Sequence, residues 1–313
     1  MDTVSVIIPY FKSFDLKRLR LATENILNQE DVEVDLIIGR SHEAVSIKDL
    51  KHVDLLPKED AQGLAVTSGT ILNRALKMSK GDYVYVSDAD IVLENSRFLK
   101  EMIKYSDKLQ GSALRRPPMR RLLLEDFDNF YAAAVDSGLC NILNTFDFSQ
   151  EYIIKPPKTE RQIMVFNKFE DQKNKIFITS AREFQEYIRD SKNKGSEPKF
   201  FNRERHFGGT FASKDAFITV GGYCERFVSW GCFDADVQWK LDSVVGMNLI
   251  PGDKIFEVIH LDHTKEYFDK NKWNIDREFE KNRKLKGPKA CIADDIADYT
   301  RVNHYGGTKK TKC

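Results

Sequence analysis

Three clusters of acidic and imidazole side chains punctuate the chain: Asp88 and Asp90, Asp234 and Asp236, and His260 and His263. Two carboxylates at the end of an apolar strand are costly to desolvate unless positive charge meets them. A hard divalent cation holding a diphosphate would do so, because it takes oxygen ligands. Carboxylate together with imidazole suits a divalent transition metal such as manganese. Each cluster also has a plain structural reading. Asp88-Ala89-Asp90 can be an acidic strand-to-turn junction. Asp234 and Asp236 can be an N-cap pair for a helix through Val237 to Leu241. The histidines can be one structural and one solvated ring.

The elements that must position these groups follow from pattern. Residues 83–86, Tyr-Val-Tyr-Val, form a β-branched and aromatic run that reads as a buried strand feeding Asp88. Residues 4–9 are an apolar run closed by Pro9, as in a buried parallel strand. A helical spacing over 16–28 and a strand over 32–39 complete a β-α-β unit, which argues for a right-handed crossover and a parallel sheet. Helices are predicted over 67–78, over 96–105 with Ser96 as N-cap, over 122–135, over 182–192 and over 274–286. Residues 192–199 read as a linker. The pairs Gly208-Gly209 and Gly221-Gly222 bracket an apolar segment and permit positive φ or close backbone approach. A strand over 255–259 ends at His260, and a polar tail closes the chain.

Composition removes several function classes. In 313 residues, 49 Lys and Arg balance 48 Asp and Glu, so bulk charge gives no support for nucleic-acid binding. The five cysteines include no CxxC pair, so neither a zinc cluster nor a disulfide framework is indicated and a reducing compartment is the simpler expectation. The first residues read as a strand rather than a signal peptide, and there is no run of about 18 apolar residues, so a cytoplasmic protein with at most peripheral membrane contact is expected. No GxxxxGK[ST], no GxGxxG after the first strand and no GxSxG occur, which argues against a P-loop NTPase, a dinucleotide dehydrogenase and an α/β-hydrolase.

Four blocks, in order, resemble the GT-A glycosyltransferases, most closely the inverting β-1,4-galactosyltransferase type and its bacterial relatives, close to family 2. They are VSVIIPYF (4–11), ILNRALKMSKGDYVYVSDADIVL (71–93), FGGTFASKDAFITVGGY (207–223) and SWGCFDADVQWKL (229–241). The second is similar to the family's LLN-x-G … SD-x-D block, the third to its FGG … F … NGF strand and turn, and the fourth to WGxxxED-x-D. The resemblance implies an α/β GT-A (Rossmann-like) fold with a mostly parallel central sheet, and a hexosyltransferase of polysaccharide biosynthesis. It implies a UDP-sugar donor, a glycan or lipid-linked glycan acceptor, and Mn²⁺ (or Mg²⁺) as cofactor. By the same resemblance Asp88 and Asp90 belong to the metal site, Asp90 binding the ion directly and Asp88 contacting the ribose or a metal-bound water. His260 or His263 is a further metal ligand. Asp234 is the general base that deprotonates the acceptor hydroxyl, giving inversion. Trp230 stacks on a sugar, Gly231 lets donor and acceptor approach, and Asp236 binds acceptor hydroxyls. Pro9 and Tyr10 border the base, Arg74 reaches the donor phosphates or sugar, and Gly209 belongs to the acceptor-side strand and turn.

The chain departs from the pattern at two places. Phe233 stands where the family has Glu before its base, and Gly39-Arg40-Ser41 stands where it offers an acid near the nucleotide, leaving Arg40 as the donor-side candidate. The expected organisation is a glycosyltransferase domain over 1–263, with a nucleotide-sugar half (1–110), a helical insertion or lid (111–206) and an acceptor and catalytic half (207–263). A helical extension and tail follow over 264–313. Two further readings compete: a nucleotidyltransferase, and a glycan-binding scaffold with a decayed site.

Overall fold

The computed structural model describes residues 1–10, 16–40, 52–53, 67–122, 124–145, 164–168, 171–178, 189, 204–229, 231–263 and 269–301. The helix expected over 182–192, apart from residue 189, the linker over 192–199 and Trp230 lie outside them. β1 (Thr3–Tyr10), α1 (Leu16–Leu27) and β2 (Glu33–Arg40) form the expected β-α-β unit, and β1 pairs parallel to β2 over its whole length. β3 (His52–Val53) pairs parallel to β2. α2 (Ser68–Met78) is capped by the Thr67 hydroxyl, which accepts from the Thr70 amide. It leads to β4 (Tyr83–Val86), parallel to β1 on the other side. Successive β1 residues face opposite cores. Val4, Val6 and Ile8 pack with Leu19, Ile26, Phe98 and Met102, whereas Ile7 packs with Ile71, Leu72, Ala75 and Phe217. A strand covered by helices on both faces is apolar nearly throughout, which accounts for the run in 4–9; its one polar member, Ser5, is buried with its hydroxyl donating to Asp35 Oδ2 at 2.8 Å.

β5 (Ile91–Leu93) follows the Asp88–Asp90 turn, and α3 (Phe98–Lys108) follows β5. Ser96 is not its cap: the N-cap position is Arg97, whose amide donates to Asn95 Oδ1. β6 (Ala113–Arg115) and β7 (Pro118–Leu122) come next. The helix expected from 122 instead starts at Phe127, because Leu122 ends β7. α4 (Phe127–Ser137) and α5 (Leu139–Thr145) pack Phe127, Phe130 and Leu143 into a third cluster with Ile259 and Leu261. β8 (Met164–Lys168) and β9 (Asp171–Ile178) form an antiparallel ribbon.

After β10 (Glu204–Arg205) come β11 (Thr210–Ser213), α6 (Lys214–Thr219), α7 (Cys232–Val245), β12 (Met247–Leu249) and β13 (Val258–Leu261). The central sheet runs β12-β6-β11-β4-β1-β2-β3, antiparallel only at the two pairings that β11 makes, so it is the mostly parallel sheet expected. The second sheet runs β10-β7-β13-β5. The strand expected over 255–259 is shorter: a single 3-10 turn over Lys254–Phe256 precedes β13, and His260 lies on the strand itself. The C-terminal segment carries α8 (Lys270–Lys286) and also α9 (Pro288–Arg301), which the sequence reading left as polar tail.

Candidate active site

Asp88 and Asp90 sit in the turn between β4 and β5, at the carboxyl end of the parallel strands β1, β2 and β4. This edge is where open α/β sheets bind ligands. Antiparallel pairing of β5 with β13 sets His260 opposite Ile91, and the Leu261 amide donates to the Asp90 carbonyl at 2.8 Å. The register of one strand pair thus brings the third sequence cluster onto the first across 170 residues of chain (260 minus 90). Asp90 Oδ2 lies 2.8 Å from His263 Nε2 and 3.4 Å from His260 Nε2. One ligand atom from each of these three residues lies within 4.8 Å of the other two.

The surroundings fix this trio. His260 Nδ1 is 2.8 Å from Asp262 Oδ1, which also accepts from Arg121 Nη1 at 2.5 Å. A carboxylate on one imidazole nitrogen turns the other nitrogen toward the centre, the usual support for a metal-binding histidine. Arg18, on α1, donates to the carbonyls of Leu261 and Asp262 and so anchors the strand end. Asp90 is only 3% exposed. Burial opposes its charge, but the His260, His263 and His206 rings outweigh burial and hold its carboxyl below the usual range. Its second oxygen, Oδ1, is buried with no hydrogen-bond partner among the described residues. An orphan carboxylate oxygen beside two imidazole nitrogens is a donor set that fits a divalent transition metal.

Asp88 does not join that trio. Its Oδ2 is held by His206 Nε2 at 2.8 Å, and His206 is itself buried. A Cβ on Gly208 would stand 2.9 Å from Asp88 Oδ2, so only glycine lets the 207–209 backbone reach the Asp88–His206 pair. Gly209 carries β11 past Pro117, whose Cδ a Cβ there would meet at 2.7 Å. His206 was not singled out in the sequence. The signal was its place directly before Phe-Gly-Gly. Asp262 was missed in the same way, inside His-Leu-Asp-His.

Asp234 lies in the first turn of α7, not before it, and Asp236 one half-turn on, so the N-cap reading fails for both. The N-cap position is Gly231, at φ 103° with open space around it. Asp234 is 6% exposed. Burial pushes its carboxyl well above the ordinary value, and the Asp88 charge adds to the rise. The Tyr223 hydroxyl, also raised by burial and by the Asp234 and Asp88 charges, is buried without a hydrogen-bond partner among the described residues. Gly222, at φ 64°, leaves the room that Asn73 needs to bind the Tyr223 backbone: a Cβ there would meet Asn73 Oδ1 at 2.2 Å. Gln238, one turn beyond Asp234, donates to the Phe207 carbonyl and to Thr210 Oγ1, tying α7 to the 207–210 segment.

Asp236 faces away from this edge. Its two oxygens are held by Arg283 of α8 at 2.6 and 3.0 Å, and Arg283 and Lys240 both bind Asp295 of α9. With Asp236 1% exposed, the carboxylate expected to bind acceptor hydroxyls is an internal ion-pair partner instead. Arg283→Ala is expected to destabilise the protein by about 3–5 kcal/mol, because buried Asp236 loses its nearest counter-charge, while Asp295 keeps Lys240. Urea unfolding of the variant checks this, and a loss under about 1 kcal/mol would mean that the network relaxes around the gap.

The remaining sequence candidates are spread around the same sheet. Pro9 and a buried Tyr10 end β1, and Arg40 ends β2 beside Tyr10 in the register. Arg74, half-buried on α2, acts electrostatically on Glu225 and Lys77.

Residues 5–114 match the family model for glycosyl transferase family 2. No protein of curated function matches the sequence. Among solved structures, S. aureus TarS is similar with a TM-score of 0.50 at 12% identity, over 99% of this chain and 46% of that one. A structure of S. aureus TarS 1–349 gives 0.47 at 11%, over 99% and 75%. The catalytic domain of Drosophila beta1,4-galactosyltransferase 7 in complex with xylobiose gives 0.42 at 10%, over 88% and 80%. The chain spans less than half the length of the first of these, and at such identities the likeness concerns the fold. No helix among the described residues is long and apolar enough to cross a membrane.

Proposed function

We propose that this chain, a family 2-like glycosyltransferase of the GT-A fold, is a metal-dependent, inverting hexosyltransferase. It moves a sugar from a UDP-sugar to a hydroxyl of a glycan or lipid-linked glycan. The observation that carries the reading is the convergence of Asp90, His260 and His263 at the carboxyl edge of the sheet, with Asp90 Oδ1 buried and unpaired. Two imidazoles in the set favour Mn²⁺ over Mg²⁺. A bound ion there supplies Lewis-acid stabilisation of the departing nucleoside diphosphate.

The chain's own residues do the rest. Asp262 and Arg121 hold the His260 ring, and His206 holds Asp88 for a ribose hydroxyl or a metal-bound water. Asp234 takes the proton from the acceptor hydroxyl, and its raised pKa makes it a stronger base than a solvated carboxylate. A single carboxylate working on the face opposite the leaving group inverts the anomeric centre. Trp230, next to Gly231, stacks on a sugar face, and Pro9, Tyr10, Arg40 and Arg74 line the donor side. Residues 1–110 bind the nucleotide sugar, and residues 207–263 carry the acceptor site and the base.

UDP release from a panel of UDP-sugars, with and without Mn²⁺, tests the proposal. The expected result is release from one sugar that requires the metal and rises with acceptor. No release from any donor, together with no metal-dependent UDP binding, would leave a glycan-binding scaffold as the better description.

A further inference from the structure

One group of charges at the same edge has no part in that chemistry. Arg115 ends β6, and it stands opposite Thr210 of β11, which stands opposite Val86 of β4. Arg115 is therefore level with the strand end that delivers Asp88, two strand spacings or about 10 Å to the side. Arg116 follows with φ 57°, immediately before Pro117. A long side chain ahead of proline is normally held in extended backbone, and such strain persists where the surroundings enforce it. Here the Arg116 amide is bound to the Gly209 carbonyl at 2.9 Å, and its guanidinium lies 3.9 Å over the Phe207 ring. Arg205 donates to the carbonyls of Arg116 and Ile250, both at 2.8 Å, and braces the turn.

Among the described residues no carboxylate pairs with Arg115 or Arg116, and the Nε of each is buried without a partner. Asp88, in the β4–β5 turn beside the 207–209 segment, is engaged by His206. Burial first, then the charges of Arg115 and Arg205, lower Arg116 to about 10. Like charges gathered in a half-buried place cost free energy unless an anion answers them. Guanidinium forks match the geometry of phosphate oxygens and can bind them in pairs.

We propose that Arg115 and Arg116, braced by Arg205, form a binding subsite for a phosphate-type oxyanion beside the transfer centre. The inference rests on reading that edge as the transfer site, and it deepens that reading. The oxyanion belongs either to the donor's diphosphate or to a charged group on the acceptor, such as a phosphodiester.

Inorganic phosphate titrated calorimetrically into the full-length, metal-free protein is the test. Saturable binding in the millimolar range is expected, weakened about tenfold or more in R115Q/R116Q and largely restored in R115K/R116K. The lysine pair keeps the charge, so its recovery separates loss of the subsite from loss of the fold. Absence of saturable binding to the wild type, or equal binding to R115Q/R116Q, would overturn the proposal. Repeating the titration with Mn²⁺ and UDP present identifies the source. Competition assigns the subsite to the donor diphosphate, and simultaneous binding assigns it to an anionic acceptor. Phosphate binding that survives when Mn²⁺-dependent UDP binding is absent would support the arginine subsite while sinking the metal-centre reading, so the two fail separately.

Discussion

Asp234→Asn is expected to lower sugar transfer by about 10²–10⁴-fold, the range for removing a positioned general base, while UDP affinity in Mn²⁺ stays nearly unchanged. The same change is expected to raise stability at neutral pH. The sign follows from burial. Asp234 in the folded chain has a carboxyl well above its ordinary value, so between the unfolded and folded pKa values the native state holds the extra proton. Stability therefore falls as pH rises through that window, and the charged form present above it carries the full desolvation cost. Asparagine cannot ionise and escapes that cost. Activity moves the other way, since the base must be unprotonated. The acid limb of kcat/KM should lie above the usual carboxylate range. Single-turnover transfer and melting temperature across pH check both halves. A variant that keeps substantial transfer would remove Asp234 from the base role, and one that melts lower would contradict its burial as the source of the shift.

The separation of Asp234 from Asp236 shows what the sequence conveys and what it hides. Both are acids two residues apart, and pattern alone treats them as a pair. The helix begins at Cys232, so the two point in directions about 160° apart. One meets the sheet edge beside the Asp88 charge, and the other meets Arg283. Arg283 was invisible as a partner because α8 reads as an evenly charged helix and α9 as polar tail. The strands and the Asp88–Asp90 turn were legible because burial on both faces forces continuous apolar runs. The His260 contact was only half legible. The residues stood out, but the pairing of β13 with β5 that delivers them is a long-range register with no local signal. His206 and Asp262 belong to the same class: their roles come from what packs against them, and nothing in their own spacing announces it.

Asp90→Ala is expected to abolish Mn²⁺-dependent UDP binding and, with it, transfer. The residue is the shared point of the trio, within 3.4 Å of both imidazoles. It is also the trio's only anionic member, so its loss leaves two neutral or mutually repelling rings. Asp262→Asn is expected to give a smaller loss of metal affinity, about 10–100-fold, because the ligands remain and only the support of His260 is weakened. Comparing His260→Ala with His263→Ala then tells which ring contributes more. His263 is the nearer to Asp90, and His260 has its second nitrogen seated on the Asp262 carboxylate. If seating matters more than proximity in the metal-free protein, His260→Ala is the costlier change. Calorimetric titration of Mn²⁺ with UDP present reads all four variants on one scale. Unchanged Mn²⁺-dependent UDP affinity in Asp90→Ala would refute the centre, since no other described trio of His, Cys, Asp or Glu converges within the same distance.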